Sequence, residues 1–117
     1  MERVAAVQRG DLVTIAVSGD YGKPRPALII QADAFNELPS VTVVRLTSEL
    51  HEWPTFRVTV EPTAENGLQA RSQVMLDKAI AVPCGRIGKA LGRLDSATMQ
   101  AVSRELVIFQ GLEGAAA

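Results

Sequence analysis

Arg25 stands between two prolines, in Gly22-Lys23-Pro24-Arg25-Pro26, and the apolar run Ala27-Leu28-Ile29-Ile30 follows at once. Proline fixes its own φ and drives the residue before it into extended conformations, so the backbone is stiffened on both sides of Arg25. A guanidinium held this way offers its planar fork to a phosphate at little entropic cost. A surface cation in a proline-rich turn would need no function, and the spacing alone leaves both readings open. A second polar pair, Thr47-Ser48, closes another strand-like run, Val41 to Leu46. Strand-end hydroxyls facing a fixed guanidinium would clamp a phosphate, although ordinary strand-end capping accounts for the hydroxyls equally well.

Other chemistries find little support. His51 is the only histidine and Cys84 the only cysteine, and the carboxylates show no ligand spacing, so neither a metal site nor a disulfide is expected. No Gly-X-Ser-X-Gly elbow occurs, and a Ser or Cys nucleophile would have to rely on His51, which lies in a polar loop. Gly19, Gly22, Gly88 and Gly92 lack the spacing of a phosphate-cradling loop, so no nucleotide cofactor is expected. What remains is an electrostatic site. Lys23, Arg45, Arg57 and Arg71 are loop or outward-facing cations able to follow a phosphate backbone, with Tyr21 or Trp53 available for base stacking. Arg57 reads equally as a solvated strand face, and Trp53, next to Pro54, as a side chain packed under its loop.

Composition sets the frame. The chain has 117 residues, enough for one domain over 1–117 with a modest core that a second copy could help to bury, and with residues 111–117 as a frayed tail. Twelve basic residues against thirteen acidic ones remove the global positive field of a non-specific polyanion binder, so any such site must be a local patch. Neither a signal-peptide h-region nor an apolar stretch of roughly 20 residues is visible, and a cytoplasmic location is the expectation.

The elements that must position these residues are mostly strands. Leu12 to Val17 is rich in β-branched residues, with Val13, Ile15 and Val17 on one face, and runs into the turn cluster Ser18 to Gly22. Ala27–Ile30 and Val41–Thr47 are the second and third strands. Alternation on the third puts Val44 and Leu46 on one face, and Val43, Arg45 and Thr47 on the other. Phe56 to Val60 has period two, with Phe56, Val58 and Val60 inward. After a loop marked by Pro62 and Asn66-Gly67 come two short extended segments, Gln73–Asp77 and Ala79–Val82. Asp95 or Ser96 then caps an amphipathic helix with Met99, Val102, Leu106 and Phe109 on one stripe, ending near Gly111. Five or more short strands followed by one helix predict a mainly β (α+β) fold, a small, strongly bent antiparallel barrel or half-barrel with a C-terminal α-helix packed on it.

Several of these segments in order resemble a known family. Gly10-Asp11, the segment GDYGKPRPALII from Gly19 to Ile30, Phe35-Asn36, Leu46-Thr47-Ser48, Ser72 to Lys78, and Gly88-Lys89 to Asp95 before the helix are similar to the MazF/PemK toxin endoribonucleases, nearest their PemK-like branch. The resemblance implies an SH3-like (CcdB-like) barrel, a homodimer, a cognate antitoxin, and metal-independent, sequence-specific cleavage of single-stranded RNA to a cyclic phosphate and a 5′ hydroxyl. It places Arg25, Thr47 and Ser48 as catalytic residues; the cations Lys23, Arg45 and Arg71 are then the ones expected to contact the RNA. Some members carry an Arg and an Asp flanking a Cys ahead of the glutamine of the fifth strand, and a His in the first loop. Here Ala70, Ser72 and Tyr21 or its neighbours hold those places, which leaves Asp20, Tyr21 or Gln73 as alternative groups. The resemblance to CcdB gyrase poisons is weaker, since the chain lacks their Trp-Gly-Ile ending, and a decayed toxin that only binds antitoxin is a third possibility.

Overall fold

The computed structural model describes residues 7–16, 23–52 and 56–112. The expectations for Val17, Asp20, Tyr21 and Trp53 therefore lie outside the described residues.

Six strands form one antiparallel sheet, β1 (Asp11–Ile15), β2 (Arg25–Ile29), β3 (Ser40–Thr47), β4 (Arg57–Val60), β5 (Ser72–Pro83) and β6 (Ile87–Arg93), followed by helix α1 (Ser96–Phe109). Their spatial order is β4-β5-β3-β2-β1-β6. Because consecutive side chains point to opposite faces, each central strand feeds two apolar clusters. Leu12, Leu28, Val44 and Val74 pack with Val102 and Leu106 of the helix. Val13, Ile15, Ala27, Ile29, Val43 and Val82 build the second cluster on the other face. The expected alternation on the third strand holds; Val43 is as fully buried as Val44, while Arg45 and Thr47 on the Val43 face are half-buried.

The helix follows from its caps and stripe. Asp95 is the N-cap and accepts from the Thr98 backbone N–H at 3.1 Å and from its hydroxyl at 2.5 Å. These bonds, the hydroxyl one foremost, hold the Asp95 carboxyl below its ordinary range. At the other end Gly111 takes φ +71°, with Gly111 N–H bonded to Ile108 O and Leu112 N–H to Val107 O, a Schellman cap. Val102 and Leu106 are buried, whereas Phe109 is half exposed against Phe56, ring centroids 6.1 Å apart.

Three elements differ from the sequence reading. Strand β2 begins at Arg25 rather than Ala27, so Arg25 and Pro26 pair with Ile15 and Thr14 instead of preceding the sheet. Proline is tolerated at a strand's beginning, where the donor it lacks is least missed. The two segments read between Gln73 and Val82 are one bent strand, β5. Its five-residue step from Val74 to Ala79 is matched on β3 by a two-residue step from Leu46 to Val44, and the surplus forms a bulge. Strand β6, Ile-Gly-Lys-Ala-Leu-Gly-Arg, carries little strand signal in the sequence, because its two glycines and lysine mask the β pattern.

The sheet is bent but open, since β4 and β6 occupy opposite ends of the order and do not pair. Strand β4 stops at Val60 and Pro62 follows, so the chain leaves the ladder before reaching β6. The loop after β4 spans the gap instead. Arg93 N–H donates to Glu65 O at 2.9 Å, and Gly67 and Gly92 allow the two backbones to touch. A Cβ on Gly67 would lie 2.1 Å from Leu91 O, and one on Gly92 would lie 2.2 Å from Glu65 O.

Candidate active site

The start of β2 and the end of β3 meet at one end of the sheet. Ala27, Leu28 and Ile29 pair with Arg45, Val44 and Val43, and continuing that register by two residues sets Arg25 opposite Thr47. Arg25, Arg45 and Thr47 thus share strand parity on adjacent strands, which brings two guanidinium groups and a hydroxyl to one surface. They line a cleft of about 370 Å³ together with Ser48. The proximity of Arg25 and the Thr47-Ser48 pair, which sequence spacing leaves open, is thereby supplied by the pairing of β2 with β3.

The facing wall comes from the loop that spans the sheet's open side. Gly67, Leu68, Gln69 and Ala70 line the cleft there, and Ser72, Met75 and Leu91 extend it. Asn66 is the loop's hub, 4% exposed. Its Oδ1 accepts from the N–H groups of Thr63 and Leu68, each at 3.0 Å, and its Nδ2 donates to Glu61 O at 2.9 Å. The Asn66 N–H donates to Thr63 Oγ1 at 3.0 Å. Every polar atom of this buried amide therefore has at least one partner, as its burial requires. The Ser72 hydroxyl donates to Ala70 O at 2.9 Å, which fixes the loop where it enters β5. Ala70 and Ser72, which the resemblance sets at the acid-base places of some members, border the cleft with a methyl group and with a hydroxyl bonded to Ala70 O.

The remaining expected site residues are distributed differently. Arg71 does not line the cleft; its guanidinium pairs with Glu61 at 2.7 Å across the neck of the loop, with both side chains more than half exposed. Lys23 is exposed and lies outside the lining, two residues before Arg25. Gln73, buried to 7% exposure, turns its amide away from the cleft. Its Oε1 accepts from His51 N–H at 3.0 Å and from Arg57 Nη1 at 3.1 Å, while its Nε2 donates to His51 O at 2.9 Å. Gln73 thereby ties the segment after Ser48 to β4 and β5. Arg57 is half-buried and belongs to this bracket, rather than forming a solvated strand face. Asp20 and Tyr21 are outside the described residues. Sequence reasoning missed Asn66 as a hub and Gln69 as a cleft residue; the Asn66-Gly67 pair signals a turn, and nothing local signals Gln69.

Chemically, the strand side of the cleft can bind and polarise a phosphodiester. Two cations and two hydroxyls converge on it, and arginine suits bidentate contact with phosphate oxygens. Among the described lining residues there is no carboxylate and no imidazole, so the strand side supplies charge and hydrogen-bond donors rather than a titrating base. No group of three or more His, Cys, Asp or Glu able to hold a metal ion occurs among the described residues.

Residues 8–109 match the family model described as a PemK-like, MazF-like toxin of type II toxin-antitoxin systems. A probable endoribonuclease MazF of Mycolicibacterium smegmatis is 42% identical over 109 residues, covering 92% of this chain and 100% of that protein. Among solved structures, the Mycobacterium tuberculosis toxin MazF-mt6 superposes with a TM-score of 0.76 at 25% identity, covering 88% of this chain and 98% of that one. A mycobacterial endoribonuclease in complex with its cognate antitoxin superposes with a TM-score of 0.79 at 26% identity, covering 92% of this chain and 97% of the other. A family-model match over nearly the whole chain, together with a relative 42% identical along its full length, establishes that the chain belongs to the PemK/MazF family of toxins of type II toxin-antitoxin systems.

Proposed function

We propose that this toxin cuts single-stranded RNA at short sequences without a metal ion, and that the Arg25-Thr47-Ser48 end of the cleft is where the phosphodiester is held. The observation that carries the reading is the β2-β3 register, which delivers the stiffened guanidinium and the strand-end hydroxyls to one cleft. In the reaction the ribose 2′ oxygen attacks the adjacent phosphorus and loses its proton, the P–O5′ bond breaks, and the departing 5′ oxygen takes up a proton. A 2′,3′-cyclic phosphate and a 5′ hydroxyl result. Negative charge builds on the non-bridging oxygens along this path, and preorganised donors aimed at them lower the barrier.

Arg25 neutralises that charge as a clamp, since a guanidinium does not give up its proton near neutral pH. Thr47 Oγ1 donates to a non-bridging oxygen, and Ser48 supports it. Thr47 Oγ1 already accepts from Glu49 N–H at 3.0 Å, which orients the hydroxyl and leaves its own proton for the substrate. Arg45 extends the positive surface along the backbone, and Lys23 and Arg71 hold more exposed positions further along it. The toxin works as a homodimer in the cytoplasm and is held in check by a cognate antitoxin; the relative solved with its antitoxin supports the last of these three statements.

Purified protein incubated with a long, weakly structured RNA in excess chelator tests this reading, with new 5′ ends mapped and their hydroxyl chemistry checked. Discrete cuts are expected, and Arg25→Ala with an unchanged thermal melt is expected to slow them by about 100-fold or more. Intact RNA from the parent protein would leave only an antitoxin-binding role.

A further inference from the structure

The cleft has two unlike walls. Its strand side carries the cations and hydroxyls, whereas its loop side carries the primary amide of Gln69 beside the apolar Leu68 and Leu91. Phosphate needs the first kind of surface, and a nucleobase needs the second, an apolar flank with a donor-acceptor pair aimed at its edge. Gln69 is exposed, makes no hydrogen bond among the described residues, and is the only amide among the described lining residues.

Its backbone, by contrast, is tightly held. Asn66 pins Glu61, Thr63 and Leu68, Glu65 O is bonded to β6, and the glycine contacts leave no room for even a methyl group between the loop and Leu91. The neck is closed by the Glu61-Arg71 pair and by the Ser72 bond to Ala70. An unengaged amide on so firmly held a loop is preorganised for recognition, because ordering costs only the side-chain torsions.

We propose that Gln69 reads a base flanking the scissile phosphate and thereby helps to set the cleavage sequence, with Asn66 as the positioning residue that keeps the reading wall in place. The inference rests on the RNA-cleaving reading above and assigns a base-specificity role to the opposite wall. The side-chain amide presents one donor and one acceptor side by side, which complements the mixed edges of adenine, cytosine or uracil. A carboxylate at this position would present acceptors only, and would favour the adjacent N1–H and N2–H₂ donors of guanine.

The deciding experiment uses an RNA pool randomised around the cut site, digested by the parent, Gln69→Glu, Gln69→Leu, Asn66→Ala and Arg25→Ala proteins. Gln69→Glu should shift preference at one position toward guanine by on the order of 10-fold, and Gln69→Leu should flatten discrimination at that same position. Arg25→Ala should slow all sites in parallel and leave the base profile intact. Asn66→Ala, where it folds, should broaden the profile; the exposed Gln69 variants decide the matter if it does not fold. A parent profile retained by both Gln69 variants, while the parent cuts RNA, overturns the role of Gln69 alone. A parent protein that cuts nothing overturns the RNA reading, and this inference with it.

Discussion

Helix α1 and the Glu61–Ala70 loop are held in place by opposite means. The helix is attached by apolar burial, chiefly Val102 and Leu106 against the sheet, with caps at both ends. Such contacts are non-directional, and a helix can shift by fractions of an ångström while losing little of its burial. The loop buries little apolar surface. It is fixed by the four-bonded Asn66, by the Glu65-Arg93 backbone bond, and by two glycine contacts that leave no room for a side chain. Stability can come from either kind of attachment, but only the second sets a side chain's position closely enough to discriminate between bases. The loop, not the helix, borders the cleft.

This contrast is open to test. Leu106→Ala should have the largest effect on folding, about 2–5 kcal/mol by denaturant titration, yet leave the cleavage profile of the folded protein unchanged. A changed profile would break the comparison, since the helix would then be acting on the cleft. Gly67→Ala should cost less, about 2 kcal/mol, because its φ of +68° and the Leu91 carbonyl both oppose a side chain. Its effect on cleavage should exceed that of Leu106→Ala, since the wall carrying Gln69 must move.

The smallest effect belongs to the Asp95 cap. Its folded carboxyl is held below the ordinary range by the Thr98 hydroxyl and amide, so its contribution is complete above the unfolded value near about 3.9 and disappears as pH falls through the lowered folded value. Asp95→Ala should therefore lower the melting temperature at neutral pH and weaken the loss of stability on acidification. RNA cleavage at neutral pH should stay as in the parent.

The same contrast explains what could be read from the chain. Helix α1 was legible because its stripe and caps are local, with Asp95 three residues before Thr98 and Gly111 just past the end. Strands β1 to β4 were legible from β-branched runs, and Arg25 and Thr47-Ser48 from the strand ends they occupy. Their meeting was not legible, because it depends on the β2-β3 register. Strand β6 was hidden by Gly88 and Gly92, residues present for close approach to Thr14 and to the Glu65-Asn66 backbone rather than for strand propensity. Gln73 entered only as an alternative group in place of the absent acid-base pair, whereas its amide is bonded to His51 and Arg57. Gln69 carried no local signal, since its position follows from contacts between Gly67 and Leu91, far apart in the chain.

Arg25 and Thr47 are proposed to act on one phosphate. A double-mutant cycle in single-turnover RNA cleavage tests it most directly, using Arg25→Ala, Thr47→Val and the double variant, all with parental melting curves. If both groups stabilise the same developing charge, the double variant should be only a few-fold slower than Arg25→Ala alone, because the second loss follows a site already disabled. Full multiplication of the two single effects would mean that the residues act independently, and would contradict their action on one phosphate.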